Sequence, residues 1–390
     1  MPTPGPQITQ IKMQRQPQMT QMTQIKNQNT AADCADAADQ RYADGVAAPG
    51  ALGSLRGGRV PRPGQNQNPI TLKSASSASS RLLLLALVVA TVTLACNRAA
   101  PAATDKPTVA LVLKTLNHPF FVDMRRGAQE AADRLGVNLQ VQAAERESDV
   151  DKQMQIVENM LQTGIKVLAI TPSGSREIVS ALVKAKNAGV PIVIVDTRLD
   201  AKAAADAGVV AKTFIGSDNY EGGKLAGEYT ITSTGGKAKV GILEGIPGHE
   251  TGDSRLRGYR DAVAKTPGIT IVASQPANWE RDQGFNVFQN MLQAHPDIDS
   301  VFACSDLMAL GAIEAIAAAG KTGTIRVIGF DALDDAKKAI AAGTLDASVA
   351  QFPSEMGRVA VESAVKVIRG EKIPEDIKVK LELVTKDNVK

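Results

Sequence analysis

Several side chains able to hold a polar ligand fall just after short apolar runs of this sequence. Lys114 follows Val109–Leu113, Asp196 follows Pro191–Val195, Asp331 follows Ile325–Phe330 and Gln351 follows Ala347–Ala350. His118, Phe120, Phe121 and Thr197 lie near the earlier two, and Arg255, Trp279 and Ser305 precede the later two. A carboxylate at a strand end can accept two hydroxyl hydrogen bonds at once, and a guanidinium presents a planar fork to paired oxygens. Trp279 is the single tryptophan and stands in a polar stretch, so its ring is expected opposite Phe120 and Phe121, flanking the C–H face of a ring. The set suits an uncharged, polyhydroxylated ring. Alone, Asp196 could equally be a helix cap, and the two phenylalanines could be core. No Ser–His–Asp order or Cys/His pair is evident, so covalent catalysis lacks its groups. Two carboxylates on separate strands could in principle hydrolyse a glycoside. The Gly-rich stretch Gly245–Arg255 reads as a loop, but not a phosphate loop: it lacks GxxxxGK[ST], and Glu250 and Asp253 would repel phosphate.

The composition narrows the class further. The chain has 390 residues, 44% hydrophobic and 22% charged, enough for two or three domains with sizeable cores. Residues 1–95 carry nine Lys/Arg and four Asp/Glu, and the remainder carries 35 against 37. The body is therefore not a basic nucleic-acid binder. Three His and three Cys lie far apart, which excludes a zinc spacing and a disulfide framework. No cofactor is implied.

From Thr108 onward, β-branched runs alternate with amphipathic stretches such as Val122–Leu135 and Asp151–Gln162, the latter with Asp149 as its expected cap. The runs are continuous rather than alternating, as parallel strands covered on both faces require. About ten are visible, which is more than one open sheet carries comfortably, so an α/β fold of two lobes with parallel central sheets is expected. Ligands bind at the carboxyl ends of such strands, where the residues above stand.

The N-terminal quarter reads as processing. Residues 1–72 are Gln-, Met-, Ala- and Gly-rich without period, a disordered extension or a misplaced start. Residues 73–96 run from Lys73 through Arg81 and the apolar Leu82–Ala95 to Cys96, the order of a signal peptide. Thr93-Leu94-Ala95-Cys96 resembles a bacterial lipoprotein signal, which implies lipidation of Cys96, and residues 97–107 read as a tether.

Thr108 to Lys386 resembles the periplasmic sugar-binding proteins of ABC importers, in the ribose/allose-binding family. The strings LVLKTLNHPFFVDM, SQPANWERDQGFNVFQNML and VFACSDLMALGA carry the resemblance. It implies the type I periplasmic binding protein fold, two Rossmann-like lobes joined by three hinge crossings. The lobes would be 108–216 with 352–379, and 217–351 with 380–390. Gly216 and Gly329 would help absorb the bend. Lys114, His118, Phe120, Phe121, Asp196 and Thr197 would face the sugar from the first lobe. Arg255, Trp279, Ser305, Asp331 and Gln351 would face it from the second lobe and hinge. His118 and Ser305 stand where ribose binders have Asn, and Thr197 where they have Arg, which favours a hexopyranose. Asn117 and Asp306 read as loop and cap residues.

The resemblance implies a monosaccharide ligand, an ABC permease with its ATPase subunits, a lipid anchor at the bacterial cell envelope, and a monomer. A receptor presenting a sugar-like signal to a membrane sensor is the alternative. A repressor effector domain would need an N-terminal helix-turn-helix, which residues 1–80 do not show. An enzyme ranks last.

Overall fold

The computed structural model describes residues 106–390. The segments 1–72 and 73–96, with the lipidation site Cys96, lie outside the described residues. Two six-stranded sheets organise the chain. The first is built from β1 (Thr108–Thr115), β2 (Asn138–Ala144), β3 (Val167–Ile170), β4 (Ile192–Val195) and β5 (Thr213–Gly216). Helices α1 (Pro119–Leu135), α2 (Val150–Leu161), α3 (Val179–Asn187) and α4 (Ala201–Asp206) connect these strands. The chain then passes to the second sheet through α5 (Asn219–Ser233). There β6 (Ala238–Glu244), α6 (Glu250–Val263), β7 (Ile269–Pro276), α7 (Arg281–Ala294) and β8 (Ser300–Ala303) follow in order. This half ends with α8 (Asp306–Ala318), β9 (Arg326–Asp331), α9 (Asp334–Ala342) and β10 (Ala347–Ala350). The chain returns through α10 (Pro353–Ile368), adds β11 (Asp376–Lys378) to the first sheet, and ends with β12 (Glu382–Thr385) in the second.

Strand order is β2-β1-β3-β4-β5-β11 in one sheet and β7-β6-β8-β9-β10-β12 in the other. Among the described residues only β12 runs antiparallel to its neighbour. The central strands β3, β4, β5, β8 and β10 are buried along their whole length, which is why they read as unbroken apolar runs. The ten expected strand runs are all present, and β11 and β12 join them.

Three helix pairs pack unusually close, each across a reciprocal pair of glycines. A Cβ on Gly127 would fall 1.9 Å from the Ser354 carbonyl oxygen, and one on Gly357 2.0 Å from that of Met124, joining α1 to α10. Gly223 would meet the Arg255 carbonyl at 2.0 Å and Gly258 that of Tyr220 at 2.0 Å, joining α5 to α6. Gly311 would meet the Arg281 carbonyl at 2.1 Å and Gly284 that of Met308 at 2.6 Å, joining α7 to α8. Backbones this close leave no room for a side chain, so the glycines permit the close spacing of all three helix pairs.

Three local expectations change. Gly245–Arg255 is not one long loop: α6 begins at Glu250 and carries Arg255. The Asp149 side chain does not cap α2 but accepts from the Arg146 N–H at 3.0 Å. Asp306, expected as a cap, is wholly buried; its carboxylate accepts from Ser348 Oγ at 2.7 Å and Leu333 N–H at 2.8 Å. Gly216 and Gly329 have ordinary φ and serve as space: a Cβ on Gly329 would lie 2.2 Å from Asp306 Oδ1, and one on Gly216 2.6 Å from Phe214 Cζ. At the crossing after β10 the left-handed residue is Phe352, at φ 59°.

Gly223→Ala tests the close packing. On an unconstrained helix this change stabilises by up to about 1 kcal/mol. Here it should destabilise by about 1–3 kcal/mol, because overpacking must part α5 from α6. Thermal or urea unfolding reads the sign.

Candidate functional site

The carboxyl ends of the strands from both sheets meet at one cavity. Lys114, His118, Phe120, Phe121, Glu147 and Asp196 line it from the first lobe. Thr251, Arg255, Trp279, Ser305, Asp331 and Gln351 line it from the second and the crossing.

In the first lobe, β1 delivers Lys114. Its Nζ stands 3.5 Å from Asp196 Oδ2 and 3.5 Å from Glu147 Oε2. Charge-assisted hydrogen bonds are shorter, about 2.7–2.9 Å, so this buried ammonium keeps donor capacity for other oxygens. Asp196 follows β4 directly with φ 65°, a strained backbone. His118 caps α1: its Nδ1 accepts the Phe120 N–H at 3.1 Å. A neutral imidazole with Nδ1 as acceptor carries its proton on Nε2, so the ring is fixed as an Nε2–H donor. Phe120 and Phe121 meet edge to face at 5.2 Å, and both line the cavity.

In the second lobe, Arg255 is the most constrained group. Its Nε donates to Asn219 Oδ1 at 2.9 Å and its Nη1 to the Cys304 carbonyl at 2.6 Å. The guanidinium lies 3.7 Å from the Phe330 ring centroid, and Nη1 stands 3.6 Å from Asp331 Oδ1. Asp331 Oδ1 also accepts from Gln351 Nε2 at 2.6 Å. Burial pushes the Asp331 carboxyl above the usual carboxylate range, and Arg255 opposes that shift. The Trp279 indole sits on glycine: a Cβ on Gly245 would fall 1.9 Å from Cζ2, and one on Gly252 would fall 3.0 Å from the ring. That close seat accounts for two glycines of the Gly-rich stretch. Ser305 is the N-cap of α8, yet its hydroxyl makes no capping bond. Ser305 Oγ, Trp279 Nε1 and Gln351 Oε1 are buried without a hydrogen-bond partner among the described residues.

Ten of the eleven expected site residues line this one cavity. Thr197 does not; it stands behind Asp196, donating to Asp196 Oδ2 at 2.8 Å, with Thr251 Oγ1 3.0 Å from its own oxygen. The sequence reading missed Glu147 and Thr251. Glu147 follows β2 within the run Glu145-Arg146-Glu147, where nothing in the string distinguishes one charge from the next. Thr251 lies four residues before Arg255, a helical spacing hidden by reading the stretch as a loop. Burial raises the Glu147 carboxyl, and the Lys114 ammonium partly offsets it.

Residues 109–372 match the periplasmic binding protein domain family. The chain belongs to that family. It is 41% identical over 302 residues to the ribose import binding protein of Escherichia coli (strain K12), covering 77% of this chain and 98% of that protein. To the D-allose-binding periplasmic protein of the same organism it is 36% identical over 273 residues, 68% of this chain and 88% of that one. Among solved structures, an ABC transporter periplasmic solute binding protein from Actinobacillus succinogenes 130z with bound D-allose is similar. Its TM-score is 0.69 at 39% identity, covering 72% of this chain and 98% of that one.

The His118 cap gives this family member a pH signature. Burial, reinforced by Lys114 and Arg255 and opposed by Asp196, lowers the imidazole from 6.5 to about 4. A base whose folded value is depressed stabilises the fold above its unfolded value and loses that stability as pH falls through the folded one. The wild type should therefore lose about 3 kcal/mol between pH 6.5 and 4 through this group. His118→Asn keeps a capping acceptor and removes the titration. Its unfolding free energy should fall less steeply over that window; parallel curves for the two proteins would contradict the assignment.

Proposed function

We propose that this chain is the substrate-binding component of an ABC importer for a monosaccharide, a ribose- or allose-like aldopyranose held between two lobes. One observation carries the reading. The cavity is lined by three ion pairs held 3.5–3.6 Å apart and by three buried polar atoms without partners among the described residues, with aromatic rings from both lobes. Neutral hydroxyls, each both donor and acceptor, answer all of these groups, whereas an anion would meet Asp196, Asp331 and Glu147. The related proteins are named for ribose and allose, and the similar structure holds D-allose. The import in the ribose protein's name and the ABC transporter in that of the similar structure favour transport over signal reception, and these relatives are named as binding proteins rather than enzymes.

In this proposal residues 108–216 with 352–379 form one lobe, and 217–351 with 380–390 the other. The contacts to the ring come from Lys114, His118, Phe120, Phe121, Asp196, Arg255, Trp279, Ser305, Asp331 and Gln351. Thr197 supports them from behind. A monomer anchored through Cys96 at the cell envelope would hand its sugar to the permease and its ATPase subunits.

Isothermal titration of the purified protein against D-ribose, D-allose and their epimers should find one sugar bound at one site per chain. Asp196→Ala and Arg255→Ala should each lose at least tenfold in affinity, since breaking a buried charged hydrogen bond costs about 1.5–3 kcal/mol. Binding should change the fluorescence of Trp279. A panel with no binder, or both variants binding like wild type, would sink the reading.

The anchor has its own test. Mass spectrometry of membrane-extracted protein should find a diacylated Cys96 as the N-terminal residue. Retention of residues 1–95 would refute it.

A further inference from the structure

Two contacts beside the cavity cross between the lobes without any charged pair. Thr251 stands in the first turn of α6, four residues before Arg255 and on the same helix face. Its Oγ1 lies 3.0 Å from Thr197 Oγ1, on the loop after β4. Thr197 Oγ1 donates its hydrogen to Asp196 Oδ2 at 2.8 Å. A hydroxyl has one proton to give, so Thr251 is the donor of the cross-lobe bond. The order is then Thr251 to Thr197 to Asp196, from the second lobe to a cavity carboxylate of the first. Thr197 is fully buried and Thr251 is 3% exposed, so water does not substitute here. One residue before Thr251, the Glu250 N–H donates to Ser175 Oγ at 3.2 Å, again across the lobes. His249, the N-cap residue of α6, makes no side-chain capping bond. Ser175 therefore supplies from the first lobe a cap for the helix that carries Arg255.

We propose that Thr251, acting through Thr197, positions the Asp196 carboxylate for the sugar when the lobes meet, a role that rests on the cavity being the sugar site. Asp196 Oδ2 takes the Thr197 hydroxyl and faces Lys114 Nζ at 3.5 Å, which leaves Oδ1 for ligand hydroxyls. The χ2 torsion of an aspartate is broad, so without the relay the carboxylate can rotate. The bond spans the cleft and exists only when the lobes meet. It therefore acts on the lifetime of the complex rather than on the encounter.

The test is a double-mutant cycle with Thr197→Val, Thr251→Val and the pair, and with Thr251→Ser as the conservative variant. D-ribose and D-allose serve as probes, followed by stopped-flow Trp279 fluorescence and titration calorimetry. Thr251→Val should weaken binding about tenfold, equivalent to about 1.4 kcal/mol, through faster dissociation with association unchanged. In the Thr197→Val background it should have no further effect, and Thr251→Ser should bind like wild type. An effect of Thr251→Val that is equal in both backgrounds would mean a direct contact with sugar and overturn the relay. So would the absence of any effect, or a loss confined to association. Failure of the wild type to bind either probe or any sugar of the panel would overturn the sugar site itself, and the relay with it.

Discussion

A guanidinium that is 3% exposed must be given partners by the fold, and the arrangement of the second lobe follows from how Arg255 is given them. Leaving such a charge unpaired costs on the order of 3–5 kcal/mol. Its partners come from four places: Asn219 at the start of α5, the Cys304 carbonyl at the end of β8, the Phe330 ring on β9, and Asp331 after it. These meet only if α5 lies tight against α6, and Gly223 and Gly258 permit that approach. The other two glycine-paired contacts do the same for their neighbours. α1 against α10 holds the elements next to His118, Phe120, Phe121 and Gln351, and α7 against α8 those next to Trp279 and Ser305, all of which line the one cavity. The cavity wall is in this sense a product of three helix-pair distances.

The backbone bears a second cost at the same place. Among the described residues, six non-glycines have positive φ: Asp196, Asn278, Trp279, Asp331, Ala332 and Phe352. Each such conformation costs about 1–3 kcal/mol. All six lie at strand ends or the crossing, and three of them line the cavity. A parallel strand that simply ran on into its helix would carry its side chains past the site. The reversed φ turns the carboxylate or indole across the strand end instead. Half of the strained residues line the cavity, and the inner pairs β1–β3, β3–β4 and β8–β9 keep regular parallel pairing.

The buried strands were legible because burial on both faces leaves an unbroken β-branched run, as in Ile192–Val195. Lys114, Asp196, Asp331 and Gln351 were legible because parallel sheets place ligands at strand ends. β11 and β12 were not, since three or four half-exposed residues leave no pattern distinct from a loop. Thr197 shows the limit at residue level. It is adjacent to Asp196, and two consecutive residues there do not face the same way, so motif position alone could not tell the carboxylate on the wall from the hydroxyl behind it. Glu147 was invisible for a different reason. Its role depends on Lys114, thirty-three positions earlier, having an ammonium that one aspartate does not surround. Sequence order carries no record of that pairing.

The distribution of charge between the lobes decides how the cleft can work. Lys114 pairs with Glu147 and Asp196 within the first lobe, and Arg255 with Asp331 within the second. Neither arrangement spans the cleft. Parting the lobes therefore breaks no direct ion pair of this site, and each lobe keeps its own pairs in either state. Had the pairs been crossed, an open form would strand buried-type charges and the cleft would be held shut regardless of ligand. With the ions balanced locally, the cross-lobe contacts beside the cavity are single neutral hydrogen bonds, each worth about 0.5–1.5 kcal/mol. That is comparable to a small conformational bias, so a ligand touching both walls supplies the differential contact that selects the closed form. A ring of hydroxyls is suited to this because each can join a group from one lobe to a group from the other.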